Sequence, residues 1–346
     1  VRLGYFLSSE EFSPSELVRQ AVMAEQAGFE GLWISDHFHP WNDAQGHSGF
    51  VWSTIGAISQ ATSMHVTTAV TCPTIRIHPA VVAQAAATCA VLLEGRFTLG
   101  LGSGEALNEH ILGDRWPEAD ERLEMLEEAV EVIRKLWQGG MQSHRGRHYR
   151  VENARIYDLP QRPPPIVISA FGPRATRLAA RIGDGLCTVS PVKDAVRAFR
   201  EQADRPKLVA GGQKVCYGPD EARARATVHR LWANEALPGE LSQILPTPAH
   251  FEQANELVDE QAATESVPCG PDLDAHMKAI QRFADAGFDE LYVGQIGDQQ
   301  EAFFDAYANG ILPRMRRGPD QAGAPDRGED HDRGSVAPTG AGLGSA

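Results

Sequence analysis

Two stretches of this sequence gather side chains that can move protons. One is Ser35-Asp36-His37-Phe38-His39-Pro40-Trp41; the other is Gly100-Leu101-Gly102-Ser103-Gly104-Glu105, with Asn108 close behind. An imidazole titrates near neutral pH, so His37 is a candidate general base. Asp36 could orient that ring or meet a ligand, and adjacency leaves both open. Trp41 offers a flat apolar face for a planar ligand, or fills a loop. Glu105 is a candidate acid, with a helix N-terminal charge as the structural alternative. The glycines before it lack the G-x-G-x-x-G spacing of a dinucleotide-binding turn. They read instead as a strand that lets a flat ligand approach the backbone closely. His37-Phe38-His39 also has the spacing of a metal pair. Later strand ends offer no Lys, His or acid to complete a shell, and Pro40-Trp41 suits a packing turn, so no metal is expected.

The elements around these stretches alternate between two periods. Strands are predicted at 2–7, 31–35, 66–70, 97–101, 166–169, 186–189, 208–216 and 290–295. Helices are predicted between them, at 13–28, 53–61, 79–93, after Pro173, Lys193 and Pro219, and at 299–316. Leu123, Leu126, Val130, Ile133, Leu136 and Trp137 mark one long amphipathic helix. Ser13-Pro14-Ser15-Glu16 supplies an N-cap with Pro and Glu in the first turn, and Gly28 a C-cap. Eight βα units imply an α/β fold, a closed parallel (β/α)8 TIM barrel, because each parallel strand needs a crossover. Residues 1–317 form the expected catalytic domain, and 234–270, rich in Pro, form an insertion over one mouth before the last βα unit. Residues 318–346 carry almost no large apolar side chain and are expected to be disordered.

In such a barrel the chemistry lies at the C-terminal strand ends. Those ends read Ser8-Ser9-Glu10, Asp36-His37, Ala69-Val70-Thr71-Cys72-Pro73-Thr74, Gly102-Ser103-Gly104-Glu105 and Ala170-Phe171-Gly172-Pro173. The bulk properties narrow the partners. A formal charge of -14 argues against a nucleic-acid partner. The five scattered cysteines fit neither a disulfide framework nor a zinc site, and suggest reduced thiols in the cytoplasm. No signal-peptide core is visible, and the most apolar run, 80–93, is broken by Gln84 and Thr88, so no membrane span is expected.

Taken in order, these motifs, with His78-Pro79-Ala80, Asn108-Glu109 and Gly183-Asp184-Gly185, resemble the luciferase-like superfamily, in its coenzyme F420-dependent branch. The resemblance runs from Leu3 to about Arg316. It implies a dimeric (β/α)8 barrel with a deazaflavin in its mouth and a small-molecule substrate. Asp36, Ala69, Val70, Gly102, Asn108, Gly172 and Pro173 would then hold F420, with a non-prolyl cis peptide at Ala69-Val70. Hydride transfer would use His37 as base, Trp41 to steady charge, Glu105 to protonate the reduced cofactor, and Glu10 as a further acid. The sugar-phosphate dehydrogenases of this branch hold phosphate with cations, yet 237–248 carries none and Lys193 is one position displaced. A neutral alcohol, hemiacetal or carbonyl compound is therefore the expected substrate. An FMN-dependent monooxygenase is the enzymatic alternative, and a non-catalytic deazaflavin-binding protein the alternative of another class.

Overall fold

A computed structural model describes residues 1–317; the disorder expected for 318–346 lies outside the described residues. The strands are β1 (Arg2–Leu7), β2 (Leu32–Ile34), β3 (Val66–Thr68), β4 (Phe97–Leu101), β5 (Gln142–Arg145), β6 (Arg150–Ala154), β7 (Ile166–Ser169), β8 (Gly185–Thr188), β9 (Leu208–Val215) and β10 (Glu290–Gln295). Eight of them close a barrel in the order β1-β10-β9-β8-β7-β4-β3-β2. Every neighbouring pair is parallel.

Alternation along each strand divides the core in two. Leu3, Tyr5 and Leu7 of β1 face outward and pack with the surrounding helices. Phe6 faces inward with Trp33, Val167, Cys187, Ala210 and Tyr292, filling the barrel's interior. Trp33 and Tyr292 stack there with centroids 4.6 Å apart. The first helix, Pro14–Ala27, has the capping box expected of Ser13 and Glu16, and ends on Gly28 in the left-handed region.

Two features depart from the sequence pattern. The antiparallel hairpin β5–β6 stands outside the barrel and was not anticipated. Its strands are short and polar, and its turn is held from outside. Glu128, on the helix Ala119–Leu136, accepts from the backbone N–H groups of Arg147, His148 and Tyr149. The closing helix, expected as one run, is interrupted between Gln300–Ala306 and Leu312–Arg317 by a π-helical turn, Tyr307–Ile311. Pro313 lacks the N–H that an α-helix would need there, and the wider turn absorbs the mismatch. The insertion is a set of short helices, including Leu241–Ile244, Pro248–Asn255 and Glu260–Thr264. Buried Phe251 meets the Trp41 ring edge-on at 5.1 Å, and Glu252 accepts from the Asp43 N–H at 3.0 Å. The insertion thus sits on the loop after β2, at the C-terminal mouth.

Closure at β3–β4 demands glycine. A Cβ on Gly100 would lie 1.8 Å from the Thr68 carbonyl oxygen, which is fixed backbone. Gly100→Ala should therefore destabilise the fold by at least about 2 kcal/mol, read from the midpoint of urea denaturation. Gly56 lies within the helix Val51–Ala61, where an added Cβ meets nothing within 4 Å. Gly56→Ala should stabilise by about 0.5–1 kcal/mol. Equal effects from the two substitutions would contradict this placement of the strands.

Candidate active site at the barrel mouth

The chain leaves β1 through Ser8-Ser9-Glu10 and leaves β2 through Ser35-Asp36-His37, so parallel pairing brings the two loops together. Glu10 is buried and accepts from the hydroxyls of Ser8 and Ser35, each at 2.8 Å. Its Oε1 lies 3.5 Å from His37 Nδ1. Burial pushes the Glu10 carboxyl up, but His37 and the two hydroxyls together outweigh it and hold the group below its ordinary range. His37 Nδ1 also lies 3.3 Å from the His39 carbonyl oxygen. Both neighbours of Nδ1 are acceptors, so this nitrogen carries the proton and the Nε2 lone pair is the basic site. Nε2 makes no hydrogen bond among the described residues. Trp41 crosses His37 with centroids 5.0 Å apart.

Asp36 does not meet His37. Its Oδ2 accepts from Thr71 Oγ1 at 2.7 Å and its Oδ1 from Arg76 Nη2 at 3.0 Å. Arg76 also faces Glu109 at 3.4 Å, and Glu109 accepts from the Arg76 backbone N–H at 2.8 Å. All three side chains are nearly inaccessible to solvent. Burial lowers the basicity of Arg76, but the two carboxylates reverse that and raise its pKa.

A cavity of about 230 Å³ opens beside this cluster, and Asp36, Val70, Gly102, Glu105, Asn108, Gly172 and Pro173 all lie in its wall. Ala69 packs instead with the interior aromatics, and the Ala69-Val70 peptide is cis. Val70 presses on Gly102, where a Cβ would come within 2.7 Å of Val70 Cγ2. In front of Gly172 a Cβ would meet nothing, so the space there is open. Glu105 begins the short helix Ala106–Glu109 without capping it by its side chain. Asn108 Oδ1 accepts from the N–H groups of Phe38 and His39 at 2.8 and 3.1 Å, whereas its buried Nδ2 has no partner. Arg122, in the same wall, donates to the Pro117 carbonyl and to Gln243 and leaves a buried Nε unpartnered. Two orphaned donors on one wall suit a ligand rich in acceptors. The N-terminus of the helix Pro173–Ile182 opens on the same space and favours negative charge.

A larger cavity, about 570 Å³, lies at the opposite end of the barrel between Pro163, Pro165 and Pro206. Its charged groups Arg134 and Arg205 are both paired with Asp184, so it offers no free chemistry. Among the described residues no group of three or more His, Cys, Asp or Glu could hold a metal ion. All five cysteines are free.

Several residues of the mouth escaped the sequence reading. Arg76 sits between the two quoted motifs Pro73-Thr74 and His78-Pro79-Ala80, and nothing in its spacing announces an ion pair. Glu11 follows Glu10 but turns away, accepting from Trp232 Nε1 and from the Gly297 N–H at 2.9 Å. Burial pushes its carboxyl up to about 7. Lys214 could have been found by counting, because Ala210 faces inward and every second residue of β9 then does the same. Its ammonium lies 3.9 Å from the centre of the Trp232 ring and is paired with Glu235.

Comparison with known proteins places this site in context. The chain is 40% identical over 333 residues to an F420-dependent glucose-6-phosphate dehydrogenase of Microbacterium testaceum, covering 92% of this chain and 98% of that protein. A protein of the same name from Nakamurella multipartita is 39% identical, with 91% and 97% covered. Among solved structures, an F420-dependent secondary alcohol dehydrogenase in complex with an F420-acetone adduct superposes with a TM-score of 0.85 at 30% identity, covering 91% of this chain and 99% of that one. The coenzyme F420-dependent tetrahydromethanopterin reductase of Methanopyrus kandleri, at 20% identity and a TM-score of 0.73, shares the fold. The model of the luciferase-like monooxygenase family matches residues 1–307, and with it the chain belongs to that luciferase-like family.

Proposed function

We infer that the chain is a coenzyme F420-dependent oxidoreductase, moving a hydride between an alcohol, hemiacetal or carbonyl substrate and the deazaflavin. The dehydrogenases named above support the reaction class. The observation that carries the catalytic reading is the placement of His37, with Nδ1 between the Glu10 carboxylate and the His39 carbonyl oxygen and Nε2 free. Nε2 takes the hydroxyl proton as hydride leaves carbon, and the Glu10 carboxylate stabilises the imidazolium that results. The Trp41 ring lies beside the charge that develops there. Glu105, in the cavity wall, is the acid on that side that would protonate the reduced cofactor.

The residues present fit the cofactor. Bound there, F420 supplies a deazaflavin that accepts or donates hydride. Asn108 Nδ2 and Arg122 Nε are unpartnered donors for its acceptors, and the helix beginning at Pro173 suits an anionic part. Asp36, Ala69, Val70, Gly102 and Gly172 shape the wall or its backing. The substrate is proposed to lack a phosphate dianion, since residues 237–248 carry no cation. A cytoplasmic homodimer is proposed as well. In support of the dimer, Val81, Val91 and Leu92 are exposed on the helix Pro79–Leu92, which carries no charged side chain. No helix among the described residues is long and apolar enough to cross a membrane.

Three outcomes follow. His37→Ala should lower kcat by at least about 100-fold while F420 affinity, read by fluorescence titration, stays within about twofold. Near-normal turnover would remove His37 from its role. Asn108→Asp keeps the oxygen that holds Phe38 and His39 but loses the free donor. It should weaken F420 binding about tenfold or more; unchanged affinity would place the cofactor elsewhere.

The third concerns Glu11. Its folded pKa lies above the ordinary value, so its contribution to stability is present below about 4.5 and is lost as pH rises through about 7. Relative to the wild type, Glu11→Gln should gain about 2–3 kcal/mol between pH 4.5 and 8 in urea denaturation. Parallel pH profiles would show that the carboxyl is not held protonated.

A further inference from the structure

The substrate side of the mouth contains one charged arrangement that the catalytic reading leaves unused. Lys214 projects inward from β9, 5.5 Å from the Phe6 ring and 3.9 Å from the Trp232 ring. Trp232 and Trp41 belong to the same apolar cluster, and Trp41 touches His37, so Lys214 borders the space before the base. Its side chain is only 11% exposed, and its ammonium is paired with Glu235. Glu235 rises from the first turn of the insertion, Ala233–Ala236, and is about three times as exposed as its partner. Glu11 adds a second carboxyl nearby, tied to Trp232.

An ammonium between two aromatic faces at a barrel mouth would ordinarily attract an anion. Here the insertion supplies the anion itself. A phosphate or carboxylate approaching Lys214 must displace Glu235. A neutral hydroxyl or carbonyl can take a hydrogen bond from the ammonium without breaking the ion pair. We propose that Glu235 and Lys214 form a specificity-determining pair, in which a carboxylate of the insertion occupies the mouth's lysine and rejects anionic substrates in favour of uncharged ones. This rests on the reading of the mouth as the substrate site and names its substrate class.

The test needs no cofactor. Inorganic phosphate is titrated calorimetrically into the full-length protein and into Glu235→Gln, Lys214→Met, the double variant and Glu235→Ala. The wild type should bind phosphate weakly, and Glu235→Gln at least about tenfold more tightly. The added Lys214→Met should abolish that gain. Glu235→Ala, which removes the same carboxylate, should show the same gain, and it carries the test if Glu235→Gln does not fold. No gain in either neutralised variant, or a gain that survives loss of Lys214, overturns the proposal. Failure of the wild type to bind F420 would instead strike the functional reading, and the phosphate result would stand apart from it.

Discussion

Burying Arg76 between Asp36 and Glu109 takes three charges out of water together, and only their mutual attraction and hydrogen bonds offset that desolvation. The residues come from different segments: the end of β2, the loop after β3, and the short helix after β4. Their ion pairs therefore fix three strand ends against one another. Removing any one would leave an unpaired charge in the interior, which costs far more than the intact set contributes. Asn108, beside Glu109, is placed by the same constraint. Its oxygen holds the Phe38 and His39 N–H groups and so sets the backbone that carries His37.

From that frame the mouth divides into two electrostatic halves. On one side Arg122, the orphaned Asn108 amide and a helix N-terminus make a wall suited to an anionic, acceptor-rich cofactor. On the other, the insertion packs Phe251 on Trp41 and pairs Glu235 with Lys214. His37 stands near the seam, oriented from behind by Glu10. Division of labour among the carboxylates follows from surroundings. Glu10 is stabilised as an anion by His37 and two hydroxyls, whereas Glu11, one residue on, is pushed towards neutrality by burial.

Much of the fold was legible because its signals are local and periodic. Ser13, Glu16 and Gly28 cap a helix by rules that depend on a few neighbouring residues, and β1, β7 and β10 run as the pattern predicts. The hairpin β5–β6 was not legible, because Glu128 stabilises it from a different element. Most of the cavity wall was readable only through motif order, which brought Gly102, Asn108 and Gly172 together; spacing alone could not. Adjacency left open whether Asp36 meets His37 or a ligand; geometry puts Glu10 beside His37 and commits Asp36 to Arg76 and Thr71. Long-range ion pairs such as Asp36–Arg76 and Lys214–Glu235 leave no periodic trace, so the electrostatic half of the site had to come from the fold.

The proposed reaction is hydride transfer between an uncharged substrate and a deazaflavin at this mouth. Anaerobic rapid mixing of the protein with oxidised F420 and a secondary alcohol, protiated or deuterated at the carbinol carbon, tests it most directly. The account predicts bleaching of the deazaflavin absorbance without oxygen, slowed by the deuterium. Absence of bleaching with F420, together with oxygen-dependent turnover on reduced FMN, would contradict it.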